Sequence, residues 1–187
     1  MNNNYLKIGI SVMLLLLISP TQAADINAGK TRAAICMGCH GDAGVSKNRM
    51  FPSLAGQTSA YLENQLKHFK SGERDNSTMS AIAADLSDAD IKNLAAYFSS
   101  LPGKSAGGDA KLAQAGKDKA AMCMGCHGNK LQGNGQFPKL AGQHPQYLRK
   151  QLNEFKNGTR KAGQMNAIAK NLSDEDIKAL AEYFGSL

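Results

Sequence analysis

The sequence predicts an all-α fold made of two tandem copies of one small domain. Three observations predict it. The string Ala34-Ile-Cys-Met-Gly-Cys-His-Gly41 returns almost unchanged at residues 121–128. The 51 residues from Phe51 align without a gap on those from Phe137, with 30 positions identical. Each copy carries apolar residues at helical spacing, and no convincing strand is found. Two copies mark a duplication, since a stacked solenoid needs three or more repeats.

The N-terminal residues are set aside first. Lys7 precedes an apolar stretch from Ile8 to Ile18, then Pro20, then the small residues around Thr21-Gln22-Ala23. This is the pattern of a secretory signal peptide over residues 1–23, expected to be cut after about Ala23. The apolar stretch is about half of what a bilayer-spanning helix needs. The chain is therefore expected to be exported to the periplasm.

The first domain is expected over residues 24–101. Ile26–Ile35 reads as a short helix running into the first cysteine. Thr58–Ser71 places Tyr61, Leu62, Leu66 and Phe69 on one face and stops at Gly72, a common helix terminator. Ser87–Ser100 opens on Ser-Asp-Ala-Asp, where Ser87 can cap and Asp90 meets the positive end of the helix. Residues 102–108, rich in Gly, Pro and Ser, read as a linker. The second domain, 109–187, repeats the pattern, with Pro145 suited to the first turn of its middle helix. Each copy has about 80 residues, a length at which an unaided core is marginal. A few short helices bury little, so something else is expected at each centre.

The cysteines say what. All four lie in the two Cys-Met-Gly-Cys-His copies: Cys36, Cys39, Cys123 and Cys126. In an exported protein an even cysteine count first suggests disulfides. Disulfides would leave His40 and His127 unexplained. A thioredoxin-like pair would need a strand–helix setting, and a zinc site would need the two pairs closer together. Covalent haem attachment uses every residue: two thiols for the two vinyl groups, and the adjacent histidine for the iron. Cys-x-x-Cys-His reads as c-type haem attachment, and two copies predict two haem c groups, one per domain.

His40 and His127 then supply one axial ligand each. The duplication filters candidates for the other, because a ligand should recur at the matching position. Met50 faces Gln136, Met122 faces Ile35, His68 faces Glu154 and His144 faces Thr58, so none recurs. Met37 and Met124 recur but lie between the thioether cysteines. Met79 and Met165 recur at a usable distance. Methionine is also a common core filler, but these two are the expected ligands. Ligation by His and Met raises a haem's reduction potential. It also closes both axial positions, which suits electron transfer and leaves no open site for oxygen or peroxide.

The two Cys-x-x-Cys-His copies are each followed by Phe-Pro-x-Leu-Ala-Gly-Gln, then Met-x-Ala-Ile-Ala, then Leu-Ser-Asp-x-Asp-Ile-x-x-Leu-Ala-x-Tyr-Phe. In this the whole expected mature chain resembles the cytochrome c4 family of di-haem cytochromes c. The resemblance implies two class I cytochrome c domains related by a pseudo-two-fold, with their haems close together. It implies that the Pro52 and Pro138 carbonyls accept a hydrogen bond from the axial histidines. It implies that the first and last helices of each domain cross at Gly29 with Tyr97 and at Gly116 with Tyr183. The loop before Phe137 is one residue shorter and Gly-rich, so exposure of the two haems is expected to differ.

Charge completes the expectation. Residues 24–101 hold eight Lys or Arg and eight Asp or Glu, whereas residues 102–187 hold thirteen against seven. A basic half in an exported protein points to an acidic redox partner rather than to nucleic acid. The expected function is a monomeric periplasmic carrier taking single electrons from a quinol-oxidising membrane complex to a terminal oxidase, with peripheral docking at the membrane left open. No catalytic residue is expected. The alternative is a di-haem peroxidase or the haem subunit of a sulfur-oxidising enzyme.

Overall fold

The structure, a computed structural model, describes residues 23–187; residues 1–22 of the expected leader, its apolar stretch included, lie outside the described residues. Among the described residues there are ten helices, one 3₁₀ turn and a single isolated bridge, Asn134 with Phe137. None of these helices is long and apolar enough to cross a membrane.

The first half comprises α1 (Ile26–Arg32), α2 (Ala34–His40), the 3₁₀ turn Asp42–Gly44, α3 (Ser59–Ser71), α4 (Ser77–Ala84) and α5 (Asp88–Ser100). The second half comprises α6 (Ala110–Lys119), α7 (Ala121–His127), α8 (Pro145–Lys156), α9 (Gln164–Lys170) and α10 (Asp174–Ser186). Local signals set the starts. Asp25 caps α1 by accepting from the Asn27 and Ala28 amides at 2.8 and 3.0 Å. Asp109 caps α6 through the Leu112 amide at 2.9 Å. Ser87 with Asp90, and Ser173 with Asp176, form reciprocal capping boxes.

The expected helix Ile26–Ile35 is corrected here. It ends at Arg32, and a separate helix starts at Ala34 and runs through the whole Cys-Met-Gly-Cys-His string. Ala33, fully buried at the break, has no side chain beyond Cβ and lets the backbone turn inside the core. Ala120 does the same in the second half. The methionine-bearing helices α4 and α9 are also additional to the expected set.

In each half the first and last helices cross at a glycine. A Cβ on Gly29 would lie 2.2 Å from the Asn93 carbonyl oxygen and 2.9 Å from Tyr97 Cβ. One on Gly116 would lie 2.1 Å from the Ala179 carbonyl oxygen. Only glycine permits this approach. The cores match as well: Leu62, Leu86, Ile91, Leu94 and Phe98 in the first half, Leu148, Leu172, Ile177, Leu180 and Phe184 in the second.

One core position differs. Gly44, at φ 73°, accepts from the Leu54 and Ala55 amides, and Phe98 fills the space beside its Cα. Its counterpart is Leu131, fully buried and also left-handed at φ 55°. Leu131 accepts from the Leu140 and Ala141 amides at 2.9 and 3.0 Å, so the shorter loop keeps the same hydrogen bonds. The segment 102–108 has no helix, yet it is pinned to the second half. The Ala106 amide donates to Gly142 O at 3.2 Å, and the Ser105 hydroxyl to Gly185 O at 2.9 Å.

Candidate haem sites and the junction between the halves

One continuous cavity of about 850 Å³ runs through both halves, within the range of about 300–1,000 Å³ found for cofactor sites. Cys36, Cys39, His40 and Met79 line its first lobe; Cys123, Cys126, His127 and Met165 line its second. Helix α2 presents the two cysteines three residues apart, close to one turn, and its last residue is His40. Helix α4 brings Met79 to the cavity wall from a different part of the chain. Leu62, Leu66, Phe69, Leu94 and Phe98 supply apolar lining, matched by Leu148, Leu152, Phe155, Leu180 and Phe184. Two thiols, an imidazole and a thioether on the wall of an apolar slot fit a covalently attached haem with a His/Met ligand pair. None of the four cysteines is in a disulfide.

The histidines are oriented from behind. His40 Nδ1–H donates to the Pro52 carbonyl at 2.8 Å, and His127 Nδ1–H to the Pro138 carbonyl at 2.8 Å. This leaves Nε2 of each ring free of that bond and able to serve as a ligand. Burial pushes both imidazoles below their ordinary pKa, with the proline carbonyls acting weakly against it. A lowered pKa favours the neutral ring, the form that binds metal. Burial also pushes the Cys36 and Cys123 thiols up. Phe51 and Phe137 lie against the histidine rings, with centroids 6.4 and 6.1 Å away.

The methionine segments are held differently. In the first half, the Asn76 side chain accepts from the Met79 amide at 2.9 Å. In the second, Asn166 follows the methionine; it accepts from the Ala162 amide and donates to the Phe155 and Arg160 carbonyls, each at 2.7 Å. The exposed apolar rim comprises Ile35, Met50 and Phe51 in one half and Met122 and Phe137 in the other. Its aromatic share was not anticipated from the sequence.

Between the lobes the halves meet in a matched polar junction. The Arg74 guanidinium donates to Gln65 at 2.7 Å within its half, and across the junction to Gln151 at 2.7 Å and the Tyr147 hydroxyl at 3.1 Å. Arg160 repeats the pattern, donating to Gln151 in its own half and crossing to Gln65 at 2.8 Å and the Tyr61 hydroxyl at 3.0 Å. Each guanidinium also stacks on its own half's phenylalanine, Arg74 on Phe69 at 4.6 Å and Arg160 on Phe155 at 4.5 Å. Burial pushes the Tyr61 phenol up, but the two guanidiniums outweigh it and leave the phenol below its ordinary value. A second pair of contacts is formed by Gln57 and Gln143, the last residues of the two Phe-Pro-x-Leu-Ala-Gly-Gln strings. Gln143 brackets Ser53, and Gln57 brackets Lys139. None of these eight arginine, tyrosine and glutamine residues was singled out as functional from sequence. Their only sequence signal was recurrence at matching positions.

The comparisons with known proteins agree with this construction. The family model described as cytochrome c matches residues 113–187, and that described as cytochrome C oxidase, cbb3-type, subunit III matches residues 24–98. The chain is 38% identical to cytochrome c4 of Pseudomonas aeruginosa, over 97% of this chain and 98% of that one. It is 39% identical to the thiosulfate dehydrogenase electron acceptor of Stutzerimonas stutzeri, over 94% and 92%. The crystal structure of reduced recombinant cytochrome c4 from Pseudomonas stutzeri superposes with a TM-score of 0.83 at 38% identity, covering 88% of this chain and all of that one. With two matched cytochrome c repeats, full-length relatives and the same fold, the chain belongs to the cytochrome c4 family of di-haem electron carriers, and it binds two haem c groups covalently.

Proposed function

We propose that residues 24–101 and 109–187 are the two haem domains, tethered by 102–108, and that the chain passes single electrons between periplasmic redox partners. Cys36 and Cys39 hold one haem through thioethers, and Cys123 and Cys126 hold the other. His40 with Met79, and His127 with Met165, are the axial ligands, and Pro52 and Pro138 orient the two histidines. One observation carries this reading: in each half a single helix brings both thiols and the imidazole to the cavity that the methionine enters from another helix. When bound, haem c supplies a one-electron iron couple. The chain's own part is to exclude water with its apolar walls and to keep the ligands fixed between oxidation states.

The donor in this reading is a quinol-oxidising membrane complex and the acceptor a terminal oxidase. The excess of basic residues after Pro102 favours an acidic docking face, with association slowing as salt rises. A second reading has specific support. A relative of nearly equal length is named as the electron acceptor of thiosulfate dehydrogenase, so a sulfur-compound-oxidising enzyme is the competing donor. In both readings the chain is a carrier rather than the catalyst.

The test is an optical redox titration of protein expressed with haem-maturation machinery, alongside its intact mass. Two haems per chain, both low-spin and both with the red-end absorption band of Met-ligated ferric haem, are expected. A high-spin haem that binds peroxide would sink the carrier reading. Stopped-flow reduction by the two candidate donors then separates the partners.

A further inference from the structure

Pro52 poses a problem of orientation. Its carbonyl oxygen holds the His40 ring, but proline has no N–H, so the preceding peptide cannot be anchored through a hydrogen bond at that residue. The Pro52 carbonyl belongs to the same planar peptide unit as the Ser53 amide. That amide donates to Gln143 Oε1 at 2.9 Å, and Gln143 Nε2 donates to the Ser53 carbonyl at 2.9 Å. Gln143 belongs to the other half of the molecule. The arrangement is reciprocal. The Lys139 amide, in the peptide unit of the Pro138 carbonyl that holds His127, donates to Gln57 Oε1 at 2.6 Å, and Gln57 Nε2 donates to the Lys139 carbonyl at 2.9 Å. Both glutamine residues are buried, at 7% and 8% exposure.

We propose that Gln143 and Gln57 are positioning residues for the axial histidine of the opposite half: each fixes and polarises the peptide unit whose carbonyl orients that histidine. Two physical effects act together. A peptide unit that donates at its N–H becomes a better acceptor at its C=O, because hydrogen bonds in a chain polarise one another. A plane held at both of its polar ends also cannot rotate its carbonyl away from the imidazole. A stronger bond to Nδ1–H makes the ring a more basic ligand, which favours the ferric iron. Each haem is thus adjusted by a residue of the domain that holds the other haem. The inference rests on the histidine ligation proposed above.

The crossed geometry gives a crossed test. In reduced holoprotein labelled with ¹⁵N-histidine, hydrogen exchange at His40 and His127 Nδ1–H is followed, together with the midpoint potential of each haem. Gln143→Met, similar in shape but without hydrogen bonds, is expected to speed His40 exchange about tenfold and raise the first haem's potential, leaving His127 and the second haem unchanged. Gln57→Met is expected to do the reverse. Gln143→Glu keeps an acceptor for the Ser53 amide and is expected to restore most of the His40 protection; it also serves if the Met variant does not accumulate. Faster exchange in the half that carries the substitution, in both halves equally, or in neither would overturn the proposal. Failure of the ligation reading is seen separately, as wild-type protein lacking two low-spin histidine-ligated haems.

Discussion

Arg160 in the second half reaches the Tyr61 hydroxyl in the first at 3.0 Å, and Arg74 returns the contact to Tyr147 at 3.1 Å. The two guanidiniums place like charges beside one cavity, yet each is held by neutral oxygens of both halves and an aromatic face. Arg160→Leu removes the donor to Tyr61 and one of the two arginine donors to each of Gln65 and Gln151. Stability is expected to fall by about 1–3 kcal/mol, the cost of leaving buried acceptors unmatched. Calorimetry of the holoprotein is expected to give one transition for the wild type and a broader one for the variant as the halves uncouple. An unchanged, single sharp transition would contradict the role given to the junction.

Met79→Ala is expected to lower the potential of the first haem only and to open its iron to cyanide or carbon monoxide. On the proposed ligation by Met79 and Met165, the red-end band should lose about half its intensity. An unaltered spectrum and potential would show that Met79 is not a ligand.

Cys123→Ala combined with Cys126→Ala should yield protein with one haem by mass. The second half should then lose cooperative unfolding, because Leu148, Leu180 and Phe184 line the cavity that the haem fills and binding free energy contributes to folding free energy. A cooperative second half without its haem would refute this.

Leu131→Gly sets two effects against each other. The left-handed backbone at φ 55° costs a branched residue about 1–2 kcal/mol. Removing a fully buried leucine side chain costs more, about 2–5 kcal/mol on the scale of Leu→Ala. Net destabilisation of about 1–3 kcal/mol is expected, read as a lower unfolding midpoint in guanidinium. A stabilised variant would mean that strain dominates.

Acid should act through the capping boxes. The Ser87 hydroxyl and amide hold the Asp90 carboxyl below the ordinary carboxylate range; Lys119, with Ser173, does the same for Asp176. A depressed folded pKa contributes stability that is present above the ordinary value and lost as pH falls through the folded value. The double variant Asp90→Asn, Asp176→Asn should therefore be less stable than wild type at neutral pH. The difference should narrow as acid approaches those lowered values. A constant difference across that range would rule the boxes out as the source.

These elements differed in how far they could be read from the sequence. The capping boxes were legible, because Ser87 and Asp90 act on backbone within one turn. The crossing at Gly29 was legible only through resemblance, since a lone glycine in a helix does not name the backbone it approaches. Helices α2 and α4 were missed. They are seven and eight residues long, too short for an apolar period to emerge, and their faces point at the haem cavity rather than at another helix. Gln57 and Gln143 were visible as recurring letters and nothing more. Their partners are main-chain groups of Lys139 and Ser53, which any residue type would present, so no pattern of side chains could announce the contact.

The junction also bears on how the molecule is assembled. Gln57 touches Lys139 while Gln143 touches Ser53, the counterpart of Lys139; Arg74 meets Tyr147 while Arg160 meets Tyr61. Position i meeting j while j meets i is the isologous pattern of a two-fold dimer. Each half therefore carries a self-complementary face, and the two halves are to one another what identical subunits are in a homodimer. The short tether 102–108 joins the two halves covalently. It turns a bimolecular encounter into an intramolecular one, at an effective concentration on the order of millimolar. A half released by cleavage there would be expected to seek its own copy, and dilution rather than sequence would decide whether its clamp glutamine finds a partner.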